Sequence, residues 1–254
     1  MNHGKPYSQA CENNKPFILE KLSLVFNKPG TILEVGTGTG QHAVYFAEHS
    51  QQRWFMNHGK PYSQACENNK PFILEKLSLV FNKPGTILEV GTGTGQHAVY
   101  FAEHLPHLTW QPSDHPDNYQ LCLPWLEETR LTNIRAPVPL DVGNTDWPIP
   151  DIQGAFSANT AHIMAWEEVE AMFSGLAGRL REGDAFCLYG PFNYQGTWTS
   201  ESNRQFDHYL RARNAHMGIR HIEDMQEMAA RTGLALENDF DMPANNRFLV
   251  WRKR

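Results

Sequence analysis

A run of alternating glycines, Gly91-Thr92-Gly93-Thr94-Gly95, is the part of the sequence best suited to hold a ligand. It follows a short apolar segment and precedes a stretch of helix-forming residues that begins at Gln96. Glycine lets the backbone turn tightly and approach a ligand that a Cβ atom would exclude. The first turn of the helix adds free N–H groups and a partial positive charge. The loop is therefore predicted to hold a ligand that carries a carboxylate or a phosphate.

Acidic residues follow the next two predicted strands. Asp114 comes after the second, and its carboxylate could accept hydrogen bonds from both hydroxyls of a ribose, or could instead cap a helix. Asp141 and Val142 come after the third, where an acid and an adjacent amide could meet the edge of an adenine, or could belong to a solvated loop. These positions favour a ligand that contains adenosine.

The residues of the glycine loop alone do not exclude a dinucleotide cofactor. Gly93, Gly95 and Ala98 satisfy the G-x-G-x-x-G/A pattern of dinucleotide-binding loops, and Asp114 is an acid at about the expected distance of 20 residues. An NAD(P)-dependent oxidoreductase is therefore one hypothesis. A tight strand-to-helix turn without a ligand is the remaining alternative.

Candidate catalytic and substrate-binding residues lie near the ends of later strands. His162 could accept a proton near neutral pH, or could hydrogen-bond within its loop. Tyr189 could line the reaction site, or could belong to the core. Asn245 and Asn246 in the last turn could bind substrate, or could supply turn geometry. The sequence has no histidine, cysteine or carboxylate spacing typical of a metal site, so we predict none.

The order of predicted elements should bring these residues to one edge of a sheet. From residue 56 onward strands and helices alternate, which indicates an α/β fold with a doubly wound, mostly parallel Rossmann-like sheet. A C-terminal antiparallel strand pair is predicted to close it. Strands are predicted at residues 86–90, 108–111, 136–140, 152–158, 185–189, 234–240 and 247–252, and helices at residues 67–81, 96–104, 118–131, 166–181, 202–214 and 222–232. Ligands of such sheets bind beyond the carboxyl ends of the strands.

The chain contains an internal repeat without a single difference. Residues 1–49 recur as residues 56–104, and residues 50–55 join the two copies. Only the second copy runs directly into the remaining elements, so we expect residues 56–254 to form the domain and residues 1–55 to be an appendage that does not fold alone. Alternatively, the first copy replaces the second in the sheet, or fills the sheet of another chain in a domain-swapped homo-oligomer.

The amino-acid composition limits the classes of partner that this protein is expected to bind. The chain has 254 residues and a net charge of −6, which argues against nucleic acid and anionic membranes as partners. Its four cysteines form no CxxC pair, as expected of a reducing compartment. No apolar run is long enough to span a membrane, and the first 30 residues lack the pattern of a signal peptide. The sequence therefore predicts a cytoplasmic protein with a small-molecule substrate.

Several segments together resemble class I S-adenosylmethionine-dependent methyltransferases. Glu89 lies two residues before the first glycine, in the E-x-G-x-G-x-G arrangement usual in that superfamily. More narrowly, the chain from about Lys60 to Arg252 resembles a family of uncharacterised methyltransferase-like proteins, the methyltransferase-like protein 26 type. The segments that carry this resemblance are Lys60-Pro61-Tyr62-Ser63, Glu67-Asn68-Asn69, Gly93-Thr94-Gly95-Gln96-His97-Ala98, Trp110-Gln111-Pro112-Ser113-Asp114, Ala158-Asn159-Thr160-Ala161-His162-Ile163, Leu188-Tyr189-Gly190-Pro191-Phe192 and Met242-Pro243-Ala244-Asn245-Asn246.

The resemblance implies S-adenosyl-L-methionine as the cofactor and methyl transfer to a small molecule or another acceptor as the reaction. The residues predicted to bind the cofactor are Glu89, Gly91, Thr92, Gly93, Gly95, Gln96, Asp114, Asp141, Val142 and Asn159. An alternative is a catalytically silent module that binds S-adenosylmethionine or S-adenosylhomocysteine. The NAD(P)-dependent oxidoreductase is a second alternative.

Overall fold

The computed structural model describes residues 60–149 and 151–254, together with Ile18. The chain divides into two units, Met1–Ala65 and Cys66–Arg254. The elements described here belong to the second unit, except that its first helix begins two residues earlier. The predicted fates of residues 1–55, as an appendage, a replacement or an exchanged segment, lie outside the described residues.

Strands and helices alternate along most of the second unit. The strands are β1 (Gly85–Val90), β2 (Leu108–Asp114), β3 (Val138–Pro139), β4 (Gly154–Ala158), β5 (Ala185–Gly190), β6 (Phe192–Asn193), β7 (Arg220–His221), β8 (Leu234–Met242) and β9 (Asn246–Lys253). The helices are α1 (Gln64–Val80), α2 (Gln96–His104), α3 (Leu123–Glu128), α4 (Trp166–Ala177), α5 (Glu201–Arg213) and α6 (Ile222–Thr232). Short 3₁₀ turns occur at Tyr119–Cys122 and Pro243–Asn245.

The main sheet confirms the predicted fold class. Within the described residues it has seven strands in the order β3-β2-β1-β4-β5-β9-β8. The five strands from β3 to β5 are parallel to one another, whereas β9 lies antiparallel between β5 and β8. Strands β6 and β7 form a separate parallel pair. The strand β1 in this sheet comes from the second copy of the repeat.

Each face of the sheet is covered by its own helices, because side chains alternate in direction along a strand. On one face α1 and α2 pack against the sheet through buried residues that include Ile73, Leu77, Phe101, Trp110 and Phe248. On the other face α4 and α6 pack through Val169, Phe173, Met225 and Ala229. The position of Tyr189 follows from this alternation, since it shares the α1 and α2 face with Cys187. Among the described residues, no helix combines the length and the apolar character that crossing a bilayer requires.

The prediction that Pro112 ends the second strand is wrong, because β2 continues to Asp114. The amide of Trp110 donates to the carbonyl of Asn133 at 2.7 Å, on the side away from β1. Backbone N–H groups alternate sides along a strand, so the missing N–H of Pro112 lies on the same side as that of Trp110. There β3 pairs only with the last two residues of β2, from Ser113 onward. Proline therefore removes no ladder hydrogen bond.

The predicted helix over residues 118–131 is also wrong in extent. Instead, a 3₁₀ turn at Tyr119–Cys122 leads into the short helix α3. Pro124 occupies the first turn of α3, where its missing N–H costs little, but it cannot donate to the turn before it. Thr129 then adopts an extended conformation with φ −77° and ψ 148°, which ends the helix.

Candidate functional site

The sheet brings the predicted site residues to its carboxyl edge. The glycine loop leaves β1, Asp114 ends β2, and Asn159 follows β4 directly. The amide of Leu140 donates to the carbonyl of Asp114 at 2.7 Å, which joins the ends of β2 and β3. Because β9 runs antiparallel to β5, its first residue, Asn246, lies at the same edge.

The glycine loop has three left-handed glycines with different surroundings. Gly91, Gly93 and Gly95 have φ angles of 79°, 57° and 89°. A Cβ atom on Gly91 would lie 2.5 Å from the methyl carbon of Thr160, and one on Gly95 would lie 2.8 Å from Cβ of Cys122. A Cβ atom on Gly93 would have no atom of the described residues within 4 Å. Packing therefore requires two of the glycines, while the third faces open space.

Glu89 lies beneath the loop and holds it to β2. Its side chain is 2% exposed, and Oε2 accepts hydrogen bonds from Thr92 Oγ1 and Trp110 Nε1, both at 3.0 Å. Ser113 completes the connection by donating Oγ–H to the Glu89 carbonyl at 2.7 Å and its amide to Thr92 Oγ1 at 3.2 Å. Burial raises the pKa of the Glu89 carboxyl to about 7. Glu89 and Thr92 thus shape the loop from below through their side chains.

Asp114 joins the end of β2 to the open part of the loop. Its Oδ2 accepts the amide of Gly93 at 2.7 Å, and its Oδ1 accepts the amide of His115 at 2.8 Å. A carboxylate offers about four acceptor sites, so each oxygen can accept a further donor. The alternative role as a helix cap is not observed, because the next helical turn has Asn118 as its N-cap.

Asp141 and Val142 form a small turn after β3. Oδ1 of Asp141 accepts the amide of Gly143 at 2.9 Å, and Oδ2 accepts the side-chain amide of Asn144 at 3.3 Å. The side chain of Val142 packs into the core at 9% exposure. Its amide has no hydrogen-bond partner within residues 60–149 and 151–254. Asp141 therefore stiffens the turn, and the Val142 amide is available at the edge of the sheet.

Gln96 and its neighbour His97 connect α1 to the start of α2. The side chain of Gln96 is 2% exposed, donates to Glu67 Oε1 at 2.6 Å and accepts from Thr94 Oγ1 at 3.0 Å. His97 Nε2 lies 2.7 Å from Asn69 Oδ1, and burial lowers the pKa of this histidine to about 4. The side chain of Gln96 thus ties the start of α2 to α1. The roles of Glu67 and Asn69 do not follow from the sequence pattern, although their segment carries part of the family resemblance.

Asn159 adopts a strained conformation at the end of β4. Its φ of 58° is unusual for a residue other than glycine, and such strain is often retained at functional sites. Its amide donates to the Tyr189 carbonyl at 2.8 Å. Before it, Ser157 donates Oγ–H to the Val90 carbonyl and hydrogen-bonds with the Thr160 hydroxyl, both at 2.6 Å. The loop after β4 is therefore tied to the end of β1, a connection that sequence spacing did not predict.

His162 lies beside Asn159 at the end of β5. A Cβ atom on Gly190 would be 3.7 Å from His162 Nδ1 and 3.9 Å from Asn159 Oδ1. The imidazole is 6% exposed, and burial, helped by Arg220, lowers its pKa to about 4. Its ring lies 5.3 Å from that of Phe206, and neither ring nitrogen is hydrogen-bonded to another of the described residues. The histidine is thus neutral near pH 7 and can accept a proton.

Tyr189 and the last turn have partners that give them a structural role. The Tyr189 side chain lies in the core, where burial raises its pKa and the side chains of Asn69 and Asn246 oppose that rise. Asn245 has a φ of 57° and donates its side chain to Ser202 Oγ at 3.2 Å. Turn geometry therefore accounts for Asn245. The roles predicted for Tyr189 in catalysis and for both asparagines in substrate binding stay predictions.

A cavity of about 440 Å³ opens at a different place, beside β7 and α6. Its lining includes Trp166, Arg211, Ile219, Arg220 and Asp224, and none of the residues predicted to bind the cofactor. Within the described part of the chain, no group of histidine, cysteine and acidic residues could hold a metal ion.

Solved methyltransferase structures share this fold. An O-methyltransferase family protein from Burkholderia thailandensis has a TM-score of 0.65 at 13% identity, covering 96% of this chain and 69% of the other. Human N-acetylserotonin methyltransferase in complex with S-adenosylmethionine has a TM-score of 0.61 at 13% sequence identity, and the match covers 96% of this chain and 66% of that protein. Mitomycin 7-O-methyltransferase MmcR has a TM-score of 0.62 at 15% sequence identity, and the match covers 71% of this chain and 53% of that protein. The chain thus spans between 53% and 69% of the length of these proteins.

A family model gives the closer assignment. The model described as a protein of unknown function, DUF938, matches residues 5–59 and again residues 60–253, so each match begins at the fifth residue of one copy of the repeat. The second match contains the whole carboxyl edge described above. On this evidence the chain belongs to the DUF938 family.

Proposed function

We propose that this protein is an S-adenosylmethionine-dependent methyltransferase that acts on a small molecule. The observation that carries the proposal is the open space above Gly93, whose amide is held at 2.7 Å by the carboxylate of Asp114. A glycine that packing does not require, next to an acid with free acceptor sites, suits a nucleoside ligand. The shared fold of the O-methyltransferases, one of them in complex with S-adenosylmethionine, supports the choice of cofactor.

The residues at the carboxyl edge fit this cofactor group by group. The N-terminus of α2 would hold the carboxylate, as helix N-termini hold anions. Asp114 would accept the ribose hydroxyls, and the Val142 amide would meet the adenine. Asn159, whose neighbour Thr160 packs against Gly91, would add its side-chain amide. Bound there, S-adenosylmethionine supplies an electrophilic methyl group.

The molecule that accepts the methyl group would bind beside His162. Its Nδ1, which lies beside Gly190, can take a proton from a methyl acceptor that must lose one, and its ring packs against Phe206. Ile163, the next residue, is 47% exposed and offers an apolar surface. A small acceptor with an apolar part fits these neighbours, and the net charge of −6 disfavours nucleic acid.

A second candidate function is a binding module that holds the cofactor or its demethylated product without transferring the methyl group. The 6% exposure of His162 favours it, because a base must reach the proton that it removes.

The ribose assignment is tested with Asp114→Asn. The amide oxygen still accepts the Gly93 amide, but its NH₂ group replaces a charged acceptor. We expect the affinity for S-adenosylhomocysteine, measured by isothermal titration calorimetry, to fall by about 10- to 100-fold, since hydrogen bonds to charged groups contribute about 1.5–3 kcal/mol. Asp117→Asn, at an exposed neighbour of the site, is the control and should bind like the wild type. Equal affinities of wild type and Asp114→Asn would contradict the assignment.

A further inference from the structure

The guanidinium group of Arg220 joins the loop that contains His162 to the turn before β7. Arg220 begins β7, opposite Phe192 of β6. Its Nε donates to the carbonyl of Ala161 at 2.8 Å, and its Nη2 donates to the carbonyls of Met164 and of His216, the latter at 3.0 Å. All three acceptors are backbone atoms, so this arginine orders the chain in place of pairing with an acid.

The contacts of Arg220 surround His162. Ala161 precedes the histidine and Met164 follows it by two residues, so the guanidinium binds its loop on both sides. The amide of Gly218, two residues before Arg220, donates to the carbonyl of His162 itself at 2.9 Å. Three of the four backbone positions from 161 to 164 are therefore held from the strand β7 and the turn before it.

The guanidinium is also a positive charge beside an imidazole that has no hydrogen-bonded partner among the described residues. Its carbon lies 5.8 Å from the centre of the Trp166 ring, and it lines the 440 Å³ cavity. The titratable groups that face Arg220, from α4, α5, β7 and α6, are Glu167, Asp207, Arg211, His221, Asp224, Glu227 and Arg231. The lowered pKa of His162 has burial as its larger cause and the positive charge of Arg220 as its second.

We propose that Arg220 is the positioning residue for His162: it fixes the loop after β4 so that the imidazole lies beside Gly190 and Asn159. Its positive charge also favours the uncharged form of the ring. The role of the histidine as a base rests on the proposed function, but its position and its protonation do not. Arginine suits the task better than lysine, because its planar fork donates to several carbonyls at once.

Arg179 provides a matched control. Its guanidinium also donates to backbone carbonyls, of Gly175 at 3.0 Å and of Thr145 at 3.1 Å. It also lies over a tryptophan, 4.6 Å from the centre of the Trp147 ring. No contact joins it to the His162 loop within the described residues. Replacing either arginine removes the same kinds of contact.

The test is an NMR titration of the His162 ring in Arg220→Gln, Arg220→Lys and Arg179→Gln, with His162→Gln to assign its signal. We expect the protonation constant of His162 to rise by about tenfold in Arg220→Gln, because the loss of a neighbouring positive charge favours the protonated ring. Arg220→Lys keeps the charge without the fork, so the rise should be smaller while the signal broadens. Arg179→Gln should titrate like the wild type, although both glutamine variants lose thermal stability.

Two results would overturn the proposal: an unchanged titration of His162 in Arg220→Gln, or an equal change in Arg179→Gln. If Arg220→Gln does not fold, Arg220→Lys decides by the line shape, and a His162 signal as sharp as that of the wild type would overturn the proposal. S-adenosylhomocysteine binding is measured in parallel and should stay within about twofold of the wild type in the Arg220 variants, since Arg220 contacts none of the cofactor residues. Failure of the wild type to bind it would count against the proposed function and leave the His162 titration valid.

Discussion

Glu89 illustrates how a predicted ligand residue can act from beneath its site. The E-x-G-x-G-x-G spacing pointed to a contact with the cofactor, yet the side chain is turned under the loop toward Thr92 and Trp110. A sequence pattern cannot separate the two roles, because both need an acid at the same place. The buried hydrogen bonds to Glu89 depend on tertiary packing between β1 and β2, which spacing does not specify.

Burial of Glu89 makes a prediction about the pH dependence of stability. Its pKa of about 7 exceeds the ordinary value of 4.5, so the folded state binds this proton more tightly than the unfolded state. Its contribution to stability is therefore complete below pH 4.5 and is lost as the pH rises through 7. Glu89→Gln cannot titrate. Relative to it, the unfolding free energy of the wild type should fall by about 3 kcal/mol between pH 4.5 and 8.

Urea unfolding of both proteins across this pH range measures the difference. Glu182→Gln, at an exposed position, is the control and should follow the wild-type curve. Curves of wild type and Glu89→Gln that stay parallel from pH 4.5 to 8 would show that Glu89 is not buried in this way.

The glycine loop shows what periodicity and turn chemistry can predict about an element, and what they cannot. The sequence predicted a tight turn with backbone amides at the helix start, and positive φ angles at all three glycines agree with that. It did not predict that Thr160 would pack against Gly91, or that Gly93 would face open space. These contacts join residues about 70 positions apart and arise only when β1 and β4 pair.

Alanine substitutions at Gly93 and Gly91 should therefore differ in their main effect, which is on ligand binding at Gly93 and on stability at Gly91. Gly93→Ala adds a methyl group to open space, so it should cost about 1–2 kcal/mol for the left-handed backbone but should weaken S-adenosylhomocysteine binding by at least about tenfold. Gly91→Ala forces a methyl group against Thr160, so it should cost about 2–4 kcal/mol of stability. Denaturant unfolding and calorimetry measure both quantities. Wild-type affinity in Gly93→Ala would show that no ligand approaches this glycine.

The ends of helices and strands could be predicted where hydrophobic periodicity is strong. The prediction failed where local backbone chemistry decides where an element ends. The predicted helix at residues 222–232 has the bounds of α6, and Gly233 caps it with a φ of 77°. At Pro112 the prediction failed because the effect of proline depends on which neighbour a strand has on that side. The hydrogen bond from Arg220 to Ala161 could not be predicted either, since it spans 59 residues and joins the strand β7 to the loop after β4.

At the scale of the whole molecule, the repeat decides how many working sites a chain can have. The sequence contains the glycine run twice, at residues 36–40 and 91–95. The second run lies between β1 and α2 of a complete sheet, with Asp114 beside it. A glycine run alone lacks the acids that follow β2 and β3, so the account predicts a single cofactor site in each chain.

The most direct test of the central claim is calorimetric titration of the full-length protein with S-adenosylhomocysteine, with NADH as a parallel ligand. The account predicts micromolar binding of S-adenosylhomocysteine at about one site per chain and no binding of NADH. Binding of NADH alone would contradict the methyltransferase assignment and favour an oxidoreductase. Two sites per chain would contradict the claim that the site needs the acids beyond the glycine loop.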